Sequence, residues 1–84
     1  MNKLHLYIVS PENTWFDGDV ERVTLPGAKG SFSILPRHAP IVSALQAGVL
    51  SYQVNGEEQT LNIQGGFVEM NGETVSACVE CMNE

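Results

Sequence analysis

Basic residues are scarce in this chain. Four lysines and arginines stand against ten aspartates and glutamates, a net charge of −6 over 84 residues. That balance argues against a nucleic-acid backbone or an anionic lipid surface as the main partner, since both select clustered Lys and Arg. Cysteine is sparser still, and two residues cannot build a disulfide scaffold. No apolar run approaches the ~18 residues of a membrane-spanning helix. The opening Met1-Asn2-Lys3-Leu4 is one base followed by strand-like alternation, with no signal-peptide core. A cytoplasmic location is the expectation. Helical patterning is also thin. Only Pro40 to Gln46 reads as a helical turn, and there Ile41, Val42 and Leu45 fit a strand about as well.

What remains is a single domain's worth of chain, 43% hydrophobic, able to bury roughly 60–65% of its unfolded surface. Its apolar residues alternate with a period of two. Leu4, Leu6 and Ile8 share one face of a first strand, and His5, Tyr7 and Val9 the other. Pro11-Glu12-Asn13 ends it. A second extended stretch runs from about Thr14 to Leu25, with a break expected at Asp17-Gly18-Asp19, and Pro26-Gly27 stops it. In its later half Glu21, Val23 and Leu25 fall on one side, and Val20, Arg22 and Thr24 on the other.

Two hairpins are marked by Asn55-Gly56 and Asn71-Gly72, the preferred pair for two-residue type I′ turns. The first sets Leu50 opposite Leu61 and Tyr52 opposite Gln59, with Leu50, Tyr52, Val54, Leu61 and Ile63 on one face. The second sets Val68 opposite Val75 and Gly66 opposite Ala77. Val68, Met70, Val75, Ala77 and Val79 then point inward, and Phe67 lies outside beside Glu69, Thr74, Ser76 and Cys78. Short strands with frequent turns and no long helix predict an all-β protein, a two-sheet antiparallel sandwich or flattened barrel of about eight to ten strands. The Gly65-Gly66 pair predicts a bulge or a close backbone approach.

Reactive chemistry is poorly represented. Cys78 and Cys81 have CxxC spacing, but residues three apart on a strand face opposite ways, and no further zinc ligands accompany them. His5 and His38 are the only histidines, too few for a metal-dependent jelly roll. His5 reads as an outer-face side chain. Gly27-Ala28-Lys29-Gly30 has neither the Lys-Ser/Thr end of a phosphate loop nor a following helix, and reads as a tight turn between strands. Glu57-Glu58 flank a hairpin turn and read as solvated. Trp15-Phe16 precede a turn. The segment from Gly27 to Pro40 is the exception: two glycines, two prolines and His38 crowd into one stiff loop region, a candidate contact surface. A binding or assembly role is favoured over an enzyme. The competing reading is a free-standing sandwich that binds carbohydrate or peptide, and a cupin-like metal enzyme comes third.

A set of ordered motifs adds to this. Ile8-Val9-Ser10-Pro11-Glu12, Phe16-Asp17-Gly18, Val23-Thr24-Leu25-Pro26-Gly27, Gly30-Ser31-Phe32-Ser33-Ile34-Leu35-Pro36-Arg37-His38-Ala39-Pro40, Ala44-Leu45 and Gly65-Gly66-Phe67-Val68-Glu69 follow one another. Together they resemble the N-terminal domain of the epsilon subunit of bacterial F-type ATP synthase, from about Leu4 to Val79. The LPxHAP core combined with GGFVE is the specific part.

The resemblance implies a two-sheet sandwich in the central stalk, one side on the gamma subunit and the His38 end on polar loops of the membrane ring of c subunits. Ring, gamma and epsilon turn together, and epsilon does no bond chemistry. It implies no cofactor and no small-molecule substrate, and a place on the cytoplasmic face of the bacterial inner membrane without direct insertion into it. Carried onto this chain, the ring-facing set is Ser31, Phe32, Arg37, His38 and Ala39. The gamma-facing set is Gly65, Gly66 and Phe67. Several relatives carry an acid where this chain has Ser31, so Arg37 is expected to offer a different polar contact. Most relatives continue into a two-helix hairpin that restrains ATP hydrolysis. The sequence ends at Glu84, and the expectation drawn from it is a subunit without that brake or an ATP site.

Overall fold

The computed structural model describes residues 3–81. The readings that turn on Met1 and on the chain end at Glu84 lie outside them. Eight strands follow in order: β1 (Leu4–Val9), β2 (Thr14–Val20), β3 (Arg22–Gly27), β4 (Gly30–Ile34), β5 (Ile41–Leu45), β6 (Gly48–Val54), β7 (Glu57–Asn71) and β8 (Thr74–Cys81). The described residues contain no helix. The ambiguous Pro40–Gln46 segment supplies strand β5.

Strand β7 explains the architecture. Its first half pairs with β6. Its second half pairs with β5 on one side and β8 on the other. It therefore belongs to two layers, one ordered β2-β1-β8-β7-β5 and one ordered β4-β3-β6-β7. The register shifts between Ile63 and Gly65, where the strand turns from one layer to the other. At Gly66 φ is +143°, and a Cβ there would collide with the Cys78 carbonyl oxygen and lie 2.8 Å from the Val79 Cα. Only glycine lets the backbones come that close.

The two layers close over one dry core. Leu4, Leu6, Ile8, Val68, Met70, Val75, Ala77 and Val79 face inward from the first, and Val23, Leu25, Ile34, Leu50 and Ile63 from the second. Burial of each larger aliphatic side chain contributes about 1.5–3 kcal/mol. Among the described residues no polar or charged side chain is buried.

Three expectations need correction. Strands β1 and β8 pair in parallel, so the sandwich is not wholly antiparallel. The break in the second extended stretch falls at Glu21, not at Asp17-Gly18-Asp19, which stays inside β2. Glu21 bends away because its carboxylate accepts the Asn55 and Gly56 backbone N–H groups, each at 3.1 Å, a partnership 34 and 35 residues long. That bend lets Val20 and Val23 both reach the core. Nor does Pro26-Gly27 stop the strand: Pro26 pairs with Ser31 and Gly27 with Gly30, leaving Ala28-Lys29 as the turn.

The hairpins divide. Asn55-Gly56 forms the expected turn, with φ of 52° and 83° and Leu50 opposite Leu61. The second turn is displaced by one residue. Asn71 pairs with Thr74, so Gly72-Glu73 make the loop, with positive φ at Gly72 alone as in a II′ turn. Val68 then lies opposite Ala77 and Gly66 opposite Val79. The partner register slides by two residues, and an even slide keeps every side chain on its expected face.

Candidate functional site

The strand registers line up the outward side chains of the first layer into rows. Val9 lies opposite Cys78, Cys78 opposite Phe67, and Phe67 opposite Ala44. This row crosses β1, β8, β7 and β5 without a charge. Phe67 stands at its middle and is 49% exposed, next to the Gly65-Gly66 bend. Val42, 74% exposed, sits one outward position further along β5, and Tyr7 one outward position from Val9 along β1. Neighbouring side chains on one face lie about 5 Å apart across strands, so the row is a continuous apolar strip.

The second layer carries a row of the opposite character. Ser33 lies opposite Thr24, Thr24 opposite Ser51, and Ser51 opposite Thr60. It also crosses four strands, and every member is a hydroxyl. Thr24 Oγ1 and Ser33 Oγ are 2.8 Å apart and bond to each other.

Beyond the end of β4 the chain makes a rigid corner. The His38 N–H donates to the Leu35 carbonyl at 3.1 Å, closing a turn with Pro36 second and Arg37 third. Arg37 has φ of 71°, the value a type II turn demands and glycine normally supplies. His38 Nδ1 lies 2.7 Å from the Ala39 carbonyl oxygen. A carbonyl only accepts, so Nδ1 carries the proton there and Nε2 is left for another partner. Arg37, His38 and Ala39 are all exposed, and so is Leu35 beside them.

The five residues of the ring-facing set do not form one patch. Arg37, His38 and Ala39 share the corner. Ser31 is exposed near the opposite end of β4, an edge strand. Phe32 turns the other way and packs partly buried against the core, where it would crowd any Cβ at Gly27 to 2.8 Å. Between the β3–β4 hairpin and β5 lies an open cleft of about 550 Å³, with Lys29, Ser31, Phe32, Val42 and Ala44 among its lining. It connects the Ala44 end of the apolar row to the β4 edge.

Among the described residues no three of His, Cys, Asp and Glu are grouped as a metal ion would need. One polar cluster escaped sequence reasoning. His5 bonds Asp17 through Nε2 at 2.7 Å and Asp19 through Nδ1 at 2.9 Å. Hydrogen bonds donated to Asp17, the larger effect, and to Asp19 raise the pKa of His5 above its ordinary 6.5. Glu21 is shifted down from 4.5, chiefly by the Gly56 N–H it accepts. The alternation of His5 and Asp17/Asp19 was visible, but the register joining them was not.

Comparison with known proteins agrees with this picture. The family model of the ATP synthase, Delta/Epsilon chain, beta-sandwich domain matches residues 3–83. An ATP synthase epsilon chain of Dehalococcoides mccartyi is 44% identical over 75 residues, covering 89% of this chain and 54% of that one. One from Leptospira borgpetersenii is 39% identical over 75 residues, covering 89% and 59%. The chain therefore spans little more than half the length of the curated relatives it matches. A chain in the Euglena gracilis mitochondrial ATP synthase superposes with a TM-score of 0.88 at 21% identity, covering 94% of this chain and 51% of that one. One in the central stalk and c-ring of the Tetrahymena thermophila mitochondrial enzyme gives 0.79 at 19%, covering 93% and 63%. At such identities these two likenesses speak for the fold. With the family model spanning almost every residue and the sandwich built as described, the chain belongs to the ATP synthase delta/epsilon chain beta-sandwich domain family.

Proposed function

We propose that this chain serves as a non-catalytic central-stalk subunit of an F-type, proton-translocating ATP synthase. It docks the gamma subunit onto the membrane ring of c subunits and holds the rotor parts in fixed orientation, so that proton flow is coupled to ATP synthesis. The observation that carries this reading is the uncharged row Val9–Cys78–Phe67–Ala44 on one outer face of a chain of this family. An aromatic residue framed by small and aliphatic neighbours is what a protein interface uses as an anchor, and gamma is the partner assigned to it.

The corner of Arg37, His38 and Ala39 faces the c-ring in this proposal, with Ser31 exposed further along the β4 edge and Phe32 behind it bracing the strand against the core. A chain of the same fold sits in the Tetrahymena central stalk and c-ring assembly, and the setting assigned to this chain is of that kind. A packed sandwich suits the task, because dense cores have low compressibility and pass torque without deforming. The working location is the cytoplasmic face of a bacterial plasma membrane, peripheral to it.

Recovery from membranes tests the proposal. A tagged copy of the chain, expressed in cells that make the whole synthase, is expected to bring down gamma and c subunits after mild detergent extraction. Recovery of the chain alone would overturn the reading. The double variant His38→Ala with Arg37→Glu should keep its circular dichroism spectrum and lose most of the c-subunit yield while retaining gamma.

A further inference from the structure

Strand β2 is the outermost strand of the first layer, bonded to a neighbour on one side only. Most of its side chains are exposed. Besides Val20, buried in the core at its end, three contacts hold it. Its backbone ladder runs along β1 from Leu4↔Val20 to Val9↔Thr14, with an irregularity at Ile8/Val9. Phe16 packs against Tyr52 of the second layer, ring centres 4.5 Å apart and planes tilted by 43°. The third is His5, whose two ring nitrogens each meet a different carboxylate on β2, at 2.7 and 2.9 Å.

This last arrangement is informative because of proton counting. A carboxylate accepts and does not donate, so a ring bonded to two carboxylates must carry both N–H groups and a positive charge. A neutral imidazole has one N–H. It can serve one aspartate and must turn a lone pair toward the other. The geometry points to a proton-dependent staple: imidazolium His5 pins edge strand β2 to β1 through Asp17 and Asp19, and loss of one proton releases one carboxylate and loosens β2.

The groups that face His5 come from every element around it. On β2 the facing charges are Asp17 and Asp19. On the β8 side its register partner is neutral Thr74. Glu73, in the turn before β8, accepts the His5 backbone N–H through its carbonyl at 2.9 Å. On β1 itself Tyr7 lies with its ring centre 4.7 Å away, and Lys3 is engaged with Glu21 at 3.9 Å. Tyr7 also links the staple to the apolar row, for it sits between His5 and Val9 on the same outer face. A loosened β2 disturbs the margin of that strip.

The sign follows from the shift. His5 gains its partners only when folded, so its folded pKa lies above the ordinary 6.5. The staple's contribution is complete below pH 6.5 and disappears as pH rises through the folded-state value. Glu21 works in the other sense at the far end of β2. Its folded pKa lies below 4.5, so its hold on the Asn55-Gly56 turn is complete above pH 4.5 and lost as pH falls through the folded value. The His5 staple and the Glu21 hold on the turn are therefore complete together between those two ordinary values.

Nuclear magnetic resonance on the 84-residue chain tests the staple directly. The His5 ring resonances are expected to titrate above 6.5 with both nitrogens protonated at the acid end. The pair Asp17→Asn and Asp19→Asn should bring that midpoint back toward 6.5. Hydrogen-exchange protection of the β2 amides should fall by about two- to fivefold across the His5 titration, the scale of an exposed ion pair, while β6 amides hold theirs. A His5 midpoint at or below 6.5 would overturn the proposal. So would β2 protection that stays level through the titration in the unsubstituted chain, a result that needs no variant to fold.

Discussion

The two outer faces of this sandwich are built alike and dressed differently. Each carries a row of four cross-strand neighbours. On one face the row is Val9, Cys78, Phe67 and Ala44; on the other it is Ser33, Thr24, Ser51 and Thr60. The hydroxyl row satisfies itself in part, through Thr24 and Ser33, and the rest is content with water. The apolar row has no partner of its own and leaves a phenyl ring half in solvent. An antiparallel sheet with one wet face usually places polar residues there. The hydroxyl row of the second layer follows that habit and the apolar row of the first does not. The lesson is that the first layer's row is unfinished as a free surface, and a partner is the simplest completion of it.

The most forceful way to break the comparison is to remove the hinge that makes two faces out of one strand. Gly66→Ala asks a Cβ to occupy the space of the Cys78 carbonyl at a φ of +143°. Strained backbone of this kind costs up to about 3 kcal/mol before the collision is counted. Chemical denaturation should show a loss of at least that size, at both layers together, since β7 serves both. A loss below about 1 kcal/mol would mean that β7 can cross between layers without the close approach described.

A sharper comparison truncates matched positions. Phe67→Ala and Thr60→Ala each remove an exposed side chain from the middle or end of its row. For Phe67 the affinity for the proposed gamma partner, measured by titration calorimetry, should fall about 30-fold, the ~2 kcal/mol of an aromatic anchor. For Thr60 the change should stay within about 0.5 kcal/mol. Equal effects would show that the dressing of the faces does not decide which one docks.

Much of this was legible in the sequence because period two is local. Leu4, Leu6 and Ile8 announce an inward face by themselves, and Asn55-Gly56 fixes its own register. The outward position of Phe67 survived a mistaken turn at Asn71-Gly72, since a slide of two residues preserves the face. What stayed hidden depends on distant partners. The bend at Glu21 is made by N–H groups at Asn55 and Gly56, and the parallel pairing of β1 with β8 joins the two ends of the described chain. His5 and its aspartates were in plain sight, but the irregularity at Ile8/Val9 meant that counting through the connection could not align them. The split of the ring-facing set was partly legible, since alternation along β4 alone separates Phe32 from Ser31, while its packing beside Gly27 was not.

The smallest expected effect concerns Arg37, and its direction is the informative part. Arg37 occupies a left-handed position, φ 71°, that costs a non-glycine residue about 1–2 kcal/mol. Among the described residues it has no acidic partner, whereas Lys3 and Arg22 each have one. Arg37→Gly relieves the strain but gives the unfolded chain more freedom, about 0.5–1 kcal/mol in the opposite sense. The net should be a gain in unfolding free energy of roughly 0.5 kcal/mol, read from denaturant midpoints at unchanged slope. Recovery of c subunits with the tagged chain should meanwhile decline, because the guanidinium is what the strained corner presents. A variant that is less stable would mean that Arg37 supports its own fold. One that is more stable and still recovers the ring in full would leave the charge at this corner without a docking role, and the contact would rest on His38 and the backbone of the turn.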